Sequence, residues 1–80
     1  MIKLTTHAEE MIADRGIALA WVVSAIEAPD SRAVDPRDPS LTRSYRKISE
    51  ADGRILRVVH RPDGADILVI TAFFDRGMKL

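Results

Sequence analysis

Arginines recur within the apolar segments of the C-terminal half of this chain: Arg46 in SYRKI, Arg57 in GRILRVVH and Arg76 in AFFDR. A guanidinium presents a fixed fork of donors that matches a phosphate bidentately, and it keeps its charge at physiological pH. Brought to one surface, these three side chains would hold a phosphate and stabilise the charge that builds on it during transfer. His7 lies where a helix is expected to start, a place whose dipole disfavours the imidazolium and suits a neutral base beside an anion. Tyr45 and Phe74 are the aromatic residues nearest these arginines in sequence, and either would stack on a base. Plainer roles compete with each of these. The arginines can pair with Asp52, Asp66 or Asp75 on a solvated face, His7 can simply follow a helix cap, and Tyr45 can pack.

Positioning these side chains requires a sheet. Asp52-Gly53 and Asp63-Gly64 each lie between apolar runs, a strong short-range hairpin signal. The runs 44–48, 54–60 and 67–74 therefore predict a three-stranded antiparallel meander, with Ile2 to Leu4 as an extra edge strand. A two-residue turn at Asp63-Gly64 sets Arg57 opposite Ile70 and places Ile55, Val59, Leu68, Ala72 and Phe74 on its face, with Arg76 projecting to the same side. Leu56, Val58, Ile67, Val69, Thr71 and Phe73 form the other face, the better one for packing helices. An even-length turn around Asp52-Gly53 adds Arg46 to the Arg57 face. A slip of one residue would exchange all of these partners.

The helices come first in the chain. Thr6-His7-Ala8-Glu9 has the form of a capping box; Ala8, Met11 and Ile12 recur at helical spacing, and Arg15 and Gly16 suit a C-terminus. The first helix is expected over about Thr6 to Arg15. Leu19, Val22, Val23 and Ile26 then make one stripe between Ala18 and Ala28, with Trp21 beside it and Pro29 blocking continuation. The stretch from Pro29 to Ser40 reads as a long loop with a short strand near Val34. The expected whole is a single α+β domain over residues 1–80, with two N-terminal helices packed on one face of a three- to four-stranded antiparallel sheet.

Bulk properties narrow the function. The 80 residues contain no cysteine, which removes disulfides and thiolate zinc sites and suits a cytoplasmic protein. No run is long and apolar enough for a membrane helix. The two histidines stand at no ligand spacing, so no metal is expected; no glycine-rich phosphate loop or nucleophile elbow is present, and no cofactor is implied. Net charge is zero, which argues against nucleic-acid binding by bulk attraction. The distribution is uneven, however, because residues 1–30 carry only Lys3 and Arg15 as basic side chains, against five acids. An anion site is therefore expected in the C-terminal half. A DNA-reading helix is not, since the second helix has neither lysine nor arginine.

The segments HAEEMIADRGI and GRILRVVHRPDGADILVITAFFDR resemble a domain-of-unknown-function family of small bacterial and phage proteins. More distantly, Arg15-Gly16 before the second helix, with Arg46 and Arg76 following on strands, resembles the BrnT group of the RelE/ParE-like toxin superfamily. That resemblance implies a RelE-like fold and a toxin-like, metal-independent ribonuclease countered by a cognate antitoxin. In that chemistry a base takes the 2′-hydroxyl proton, arginines hold the phosphate and an acid protonates the leaving oxygen. Carried onto this chain, Arg46, Arg57 and Arg76 are the phosphate holders and His7 the proton carrier, with Tyr45 and Phe74 as substrate contacts. RNA and an antitoxin or other protein are the expected partners. The alternative is a non-catalytic protein-interaction module of the same fold, with Trp21 or Phe74 buried in an interface.

Overall fold

Thr5 sets the start of the first helix. In the computed structural model, which describes Met1 to Leu80, Thr5 has extended backbone (φ −68°, ψ 161°) and its hydroxyl accepts a hydrogen bond from the amide of Ala8 at 3.0 Å. The cap expected at Thr6 therefore lies one residue earlier. Strand β1 (Ile2–Leu4) precedes it, and helix α1 (Thr6–Arg15) follows. Gly16 closes α1 in the left-handed conformation (φ 64°), which glycine adopts without steric cost, and its amide returns to the helix carbonyls.

Helix α2 (Leu19–Glu27) leads into strand β2 (Ser31–Val34), and strand β3 (Thr42–Ile48) runs antiparallel to it. A single 3₁₀ turn (Ser49–Ala51) precedes strand β4 (Arg54–Asp63), and strand β5 (Asp66–Phe74) completes the order. The five strands form one open mixed sheet in the spatial order β1-β5-β4-β3-β2, parallel only between β1 and β5. The sheet is thus wider than the three to four strands expected. The strand beyond that count is β2, the short strand near Val34, which joins the sheet beside β3; the expected edge strand β1 lies at the other edge, and each is held by the backbone of the strand beside it.

Both helices cover the same face. Ala8, Ile17, Val22, Ala25 and Ile26 meet Ile48, Ala51, Leu56, Val58, Val69 and Ala72 in one buried cluster, against which Trp21 and Phe74 also pack. Val22, Leu56, Val58 and Val69 are fully buried, each contributing roughly 1.5–3 kcal/mol of transfer free energy.

Two registers differ from the sequence expectation, and both differences move side chains. Ile48 pairs with Arg54, which leaves a five-residue connection, 49–53, rather than an even turn. Asp52 and Gly53 take left-handed conformations within it (φ 58° and 73°). Tyr45, not Arg46, is therefore the residue opposite Arg57. In the last hairpin Asp63 pairs with Asp66 across Gly64-Ala65, and the ladder shifts between Val59 and His60, where β5 carries one extra residue, Ile70. Beyond this bulge Arg57 faces Phe73 rather than Ile70, and Ala72 and Phe74 replace Thr71 and Phe73 on the helix-covered face. Thr5 secures the irregularity: its amide donates to the Val69 carbonyl at 3.0 Å and its hydroxyl to the Ile70 carbonyl at 3.1 Å.

The Pro29–Ser40 segment is more ordered than a free loop. Its first part is β2, and the remainder folds around Asp35, whose carboxylate accepts from the amides of Arg37 and Asp38 and from Nε of Arg43. No helix is long and apolar enough to cross a membrane.

Candidate anion-binding site

The face of the sheet away from the helices carries Arg43, Tyr45, Arg57, Val59, Thr71 and Phe73. Arg57 is committed there. Its Nε and Nη2 both donate to Oδ2 of Asp75, at 3.1 and 2.5 Å, while its guanidinium lies 4.7 Å from the Phe73 ring centroid and 5.7 Å from that of Tyr45. The two charged side chains are only 20% and 15% exposed. The Arg57 hydrogen bond, more than any other influence, holds the Asp75 carboxyl below its ordinary pKa. Arg43 is similarly tied to Asp35 at 3.0 Å. Tyr45 is buried, at 5% exposure, beneath these neighbours.

Arg46 lies on the opposite face, where its register partner is Leu56. Its Nη1 donates to the Ala28 carbonyl at 2.5 Å, so it satisfies an orphan acceptor at the end of α2. The three arginines singled out in the sequence thus do not converge: Arg57 is on the open face, Arg46 on the helix side, and Arg76 just past β5. The odd-length connection at residues 49–53 is the reason for the separation of Arg46 from Arg57. His7 is exposed on the first turn of α1, in the helix layer, away from the Arg57 face.

A different group of arginines meets at the end of the sheet. Arg15, from the last turn of α1, Arg54, at the start of β4, and Arg76, following β5, line one cavity of about 240 Å³ together with Phe74. All three arginines are exposed, and none forms an ion pair with a carboxylate. Arg54 is oriented by its surroundings, since its Nε donates to the Ala51 carbonyl at 3.1 Å and its guanidinium stacks 4.0 Å above the Phe74 ring. Such a contact contributes about 0.5–1 kcal/mol at an exposed site. Phe74 is itself steadied by Trp21, at 6.4 Å between centroids in a tilted arrangement. Three fixed positive charges without counter-charges are suited to an anion with several oxygens.

Sequence reasoning found Arg76 and Phe74, though with Phe74 on the wrong face, and passed over Arg54. The signal for Arg54 was its place directly after Gly53, at the mouth of a strand. Arg15 entered the sequence reading of the site only through the Arg15-Gly16 resemblance, and its place beside Arg54 and Arg76 could be reached only through the fold. A second feature also escaped the sequence reading: Ser44 Oγ and His60 Nε2 are hydrogen-bonded at 2.7 Å in the interior, with Ser44 wholly inaccessible. Burial, and secondarily the charge of Arg32, pushes the His60 pKa down, so its imidazole is held neutral. This is a satisfied core pair and not an accessible nucleophile.

No grouping of histidine, aspartate and glutamate side chains has the arrangement of a metal site. No curated protein and no solved structure matches the chain significantly. The family comparison does match, over residues 4–74, which run from the end of β1 to the last residue of β5 and include Arg15, Arg54 and Phe74. On that match the chain belongs to the DUF4258 family, a domain of unknown function.

Proposed function

We propose that the protein acts on RNA, holding a phosphodiester among Arg15, Arg54 and Arg76. The observation that carries this reading is the contrast between these three unpaired arginines around one cavity and the ion-paired arginines of the open sheet face. A chain of zero net charge has no bulk attraction for RNA, so a local concentration of unpaired positive charge is what such binding requires. The layering of two helices on a largely antiparallel sheet also accords with a RelE-like arrangement, and the finer reading is a toxin-like, metal-independent ribonuclease. In it the arginines would stabilise the negative charge that builds on the oxygens of the pentacoordinate phosphorus, with Arg76 as the expected phosphate holder retained from the sequence.

His7 is not placed to serve as proton carrier at this cavity. It stands at the opposite end of α1 from Arg15, eight residues or roughly 12 Å along the axis. Scission would therefore draw on water or on a group of the RNA itself for proton transfer. The test is incubation of the purified protein with single-stranded RNA in chelator, scoring both binding and cleavage, for wild type, Arg54→Ala and Arg76→Ala. Salt-sensitive binding that weakens in both variants is expected; binding that is unchanged in both would remove the site. Retained binding without cleavage would reduce the function to RNA recognition.

The second reading, a non-catalytic protein-interaction module, has its own observation. A groove of about 500 Å³ beside β1 is lined by Met1, Ile2, Val23, Ile26, Ala65 and Ile67, with Glu27 as its one charged side chain. Capture of a protein partner that shields Ile2 and Val23, together with no affinity for RNA, would favour it.

A further inference from the structure

The arginine cavity does not stand alone. A second cavity, of about 290 Å³, shares Arg54, Phe74 and Arg76 with it and is walled otherwise by Gly53, Ile55, Asp75 and Met78. One side of the two adjoining cavities is thus cationic, and the other presents Ile55 and Met78 beside the Arg57-paired Asp75. Inorganic phosphate would use only the first. A flat, weakly polar group covalently attached to a phosphate would use both, with its ring edge against Ile55, Phe74 and Met78 and its phosphate oxygens among the guanidiniums.

We infer that this combined cleft binds a nucleoside phosphate, with the base in the pocket of Ile55, Phe74 and Met78 and the phosphate at Arg15, Arg54 and Arg76. The inference rests on the phosphate-holding role assigned above to the same arginines. It adds a base-binding half and thereby selects unpaired nucleotides, since a base stacked within a duplex has no free face to insert. Arg54 serves both halves. One face of its guanidinium covers Phe74, at 4.0 Å, while its terminal nitrogens make no hydrogen bond within the protein and are free to donate. The cavity size is near the lower end of the roughly 300–1,000 Å³ usual for small-molecule sites. Asp75 brings an acceptor to the wall that is already engaged by Arg57 and by the Gly77 amide at 3.0 Å, so it is held in place and does not neutralise the three arginines.

The shared chemistry, a base joined to a phosphate, is offered both by a free mononucleotide and by an unpaired nucleotide of RNA. Calorimetric titration of the intact protein with inorganic phosphate, ribose 5-phosphate, adenosine and adenosine 5′-monophosphate, and separately with single-stranded and duplex RNA of one sequence, distinguishes the sources. Adenosine 5′-monophosphate is expected to bind at least about tenfold more tightly than inorganic phosphate or ribose 5-phosphate, and single-stranded RNA more tightly than duplex. Met78→Ala should lower nucleotide affinity while leaving phosphate affinity unchanged. Arg76→Ala should weaken every phosphate-bearing probe, and both variants should retain the wild-type amide spectrum, because the two side chains lie outside the core cluster. Equal affinity for mononucleotide and inorganic phosphate would overturn the base pocket and leave the phosphate reading in place. Mononucleotide binding without RNA binding would uphold the cleft and overturn the RNA function; no binding of any phosphate probe would overturn both.

Discussion

Replacing Arg57 by alanine should cost stability. The magnitude follows from its surroundings. Exposed ion pairs contribute about 0–1 kcal/mol, and breaking a buried pair costs about 3–5 kcal/mol. At 20% and 15% exposure, the Arg57 and Asp75 side chains lie nearer the buried limit. The stacking of the guanidinium on Phe73, 4.7 Å from the ring centroid, adds about 0.5–1 kcal/mol. Asp75 would retain the Gly77 amide as a partner, which softens the loss. The expected cost of Arg57→Ala is therefore about 2–3 kcal/mol, or roughly 10 °C or more in Tm for a chain of this size. Urea unfolding followed through Trp21, the only tryptophan, gives this directly. Asp75→Ala and the double variant complete a cycle whose coupling term should be about 1–2 kcal/mol. A loss below about 0.5 kcal/mol, or an additive cycle, would refute the argument that this arginine is held for the fold.

Two further perturbations test the internal geometry. The His60 pKa is depressed in the folded protein, so above the ordinary value of 6.5 neither state takes up a proton; as pH falls below it the unfolded chain protonates first and stability declines until the folded pKa is passed. Urea midpoints between pH 7 and pH 5 should show that decline in wild type and a flatter profile in His60→Gln; superimposable profiles would contradict it. Thr5→Ala removes both the cap on α1 and the hydrogen bond to the bulge carbonyl of Ile70, and should cost about 1–3 kcal/mol, with the amides of Ala8 and of β5 losing hydrogen-exchange protection together. Loss confined to the helix would show that Thr5 does not hold the bulge.

The helices were legible because their signals are local: the periodic apolar stripe of α2, Pro29 after it, and the glycine that ends α1. The β4–β5 hairpin was legible for the same reason. What escaped depends on pairs distant in sequence. Ile70 looks like any other strand residue, and only the demand that both Val69 and Ala72 face the helices, with Thr5 available to satisfy the Ile70 carbonyl, makes it a bulge. That single extra residue decided which phenylalanine reached the helix side. A five-residue connection at 49–53 decided in the same way that Tyr45, not Arg46, would meet Arg57. The arginine cluster was only partly visible, since Arg15 and Arg76 are brought together by the packing of α1 on β5 and by nothing in their neighbouring residues. The expectation that an anion site would lie in the C-terminal half reached Arg76 but passed over Arg54 and their N-terminal companion.

The most direct test of the central claim is to follow the arginine side-chain Nε resonances of the isotopically labelled protein while single-stranded RNA is added, at two salt concentrations. The account predicts that Arg15, Arg54 and Arg76 shift, that Arg43, Arg46 and Arg57 do not, and that affinity falls with salt by a logarithmic slope of about −0.7, the value for one phosphate contact on a single strand. Shifts concentrated at Arg43 and Arg57, with the Arg15–Arg54–Arg76 group unmoved, would contradict it and return the site to the open face of the sheet.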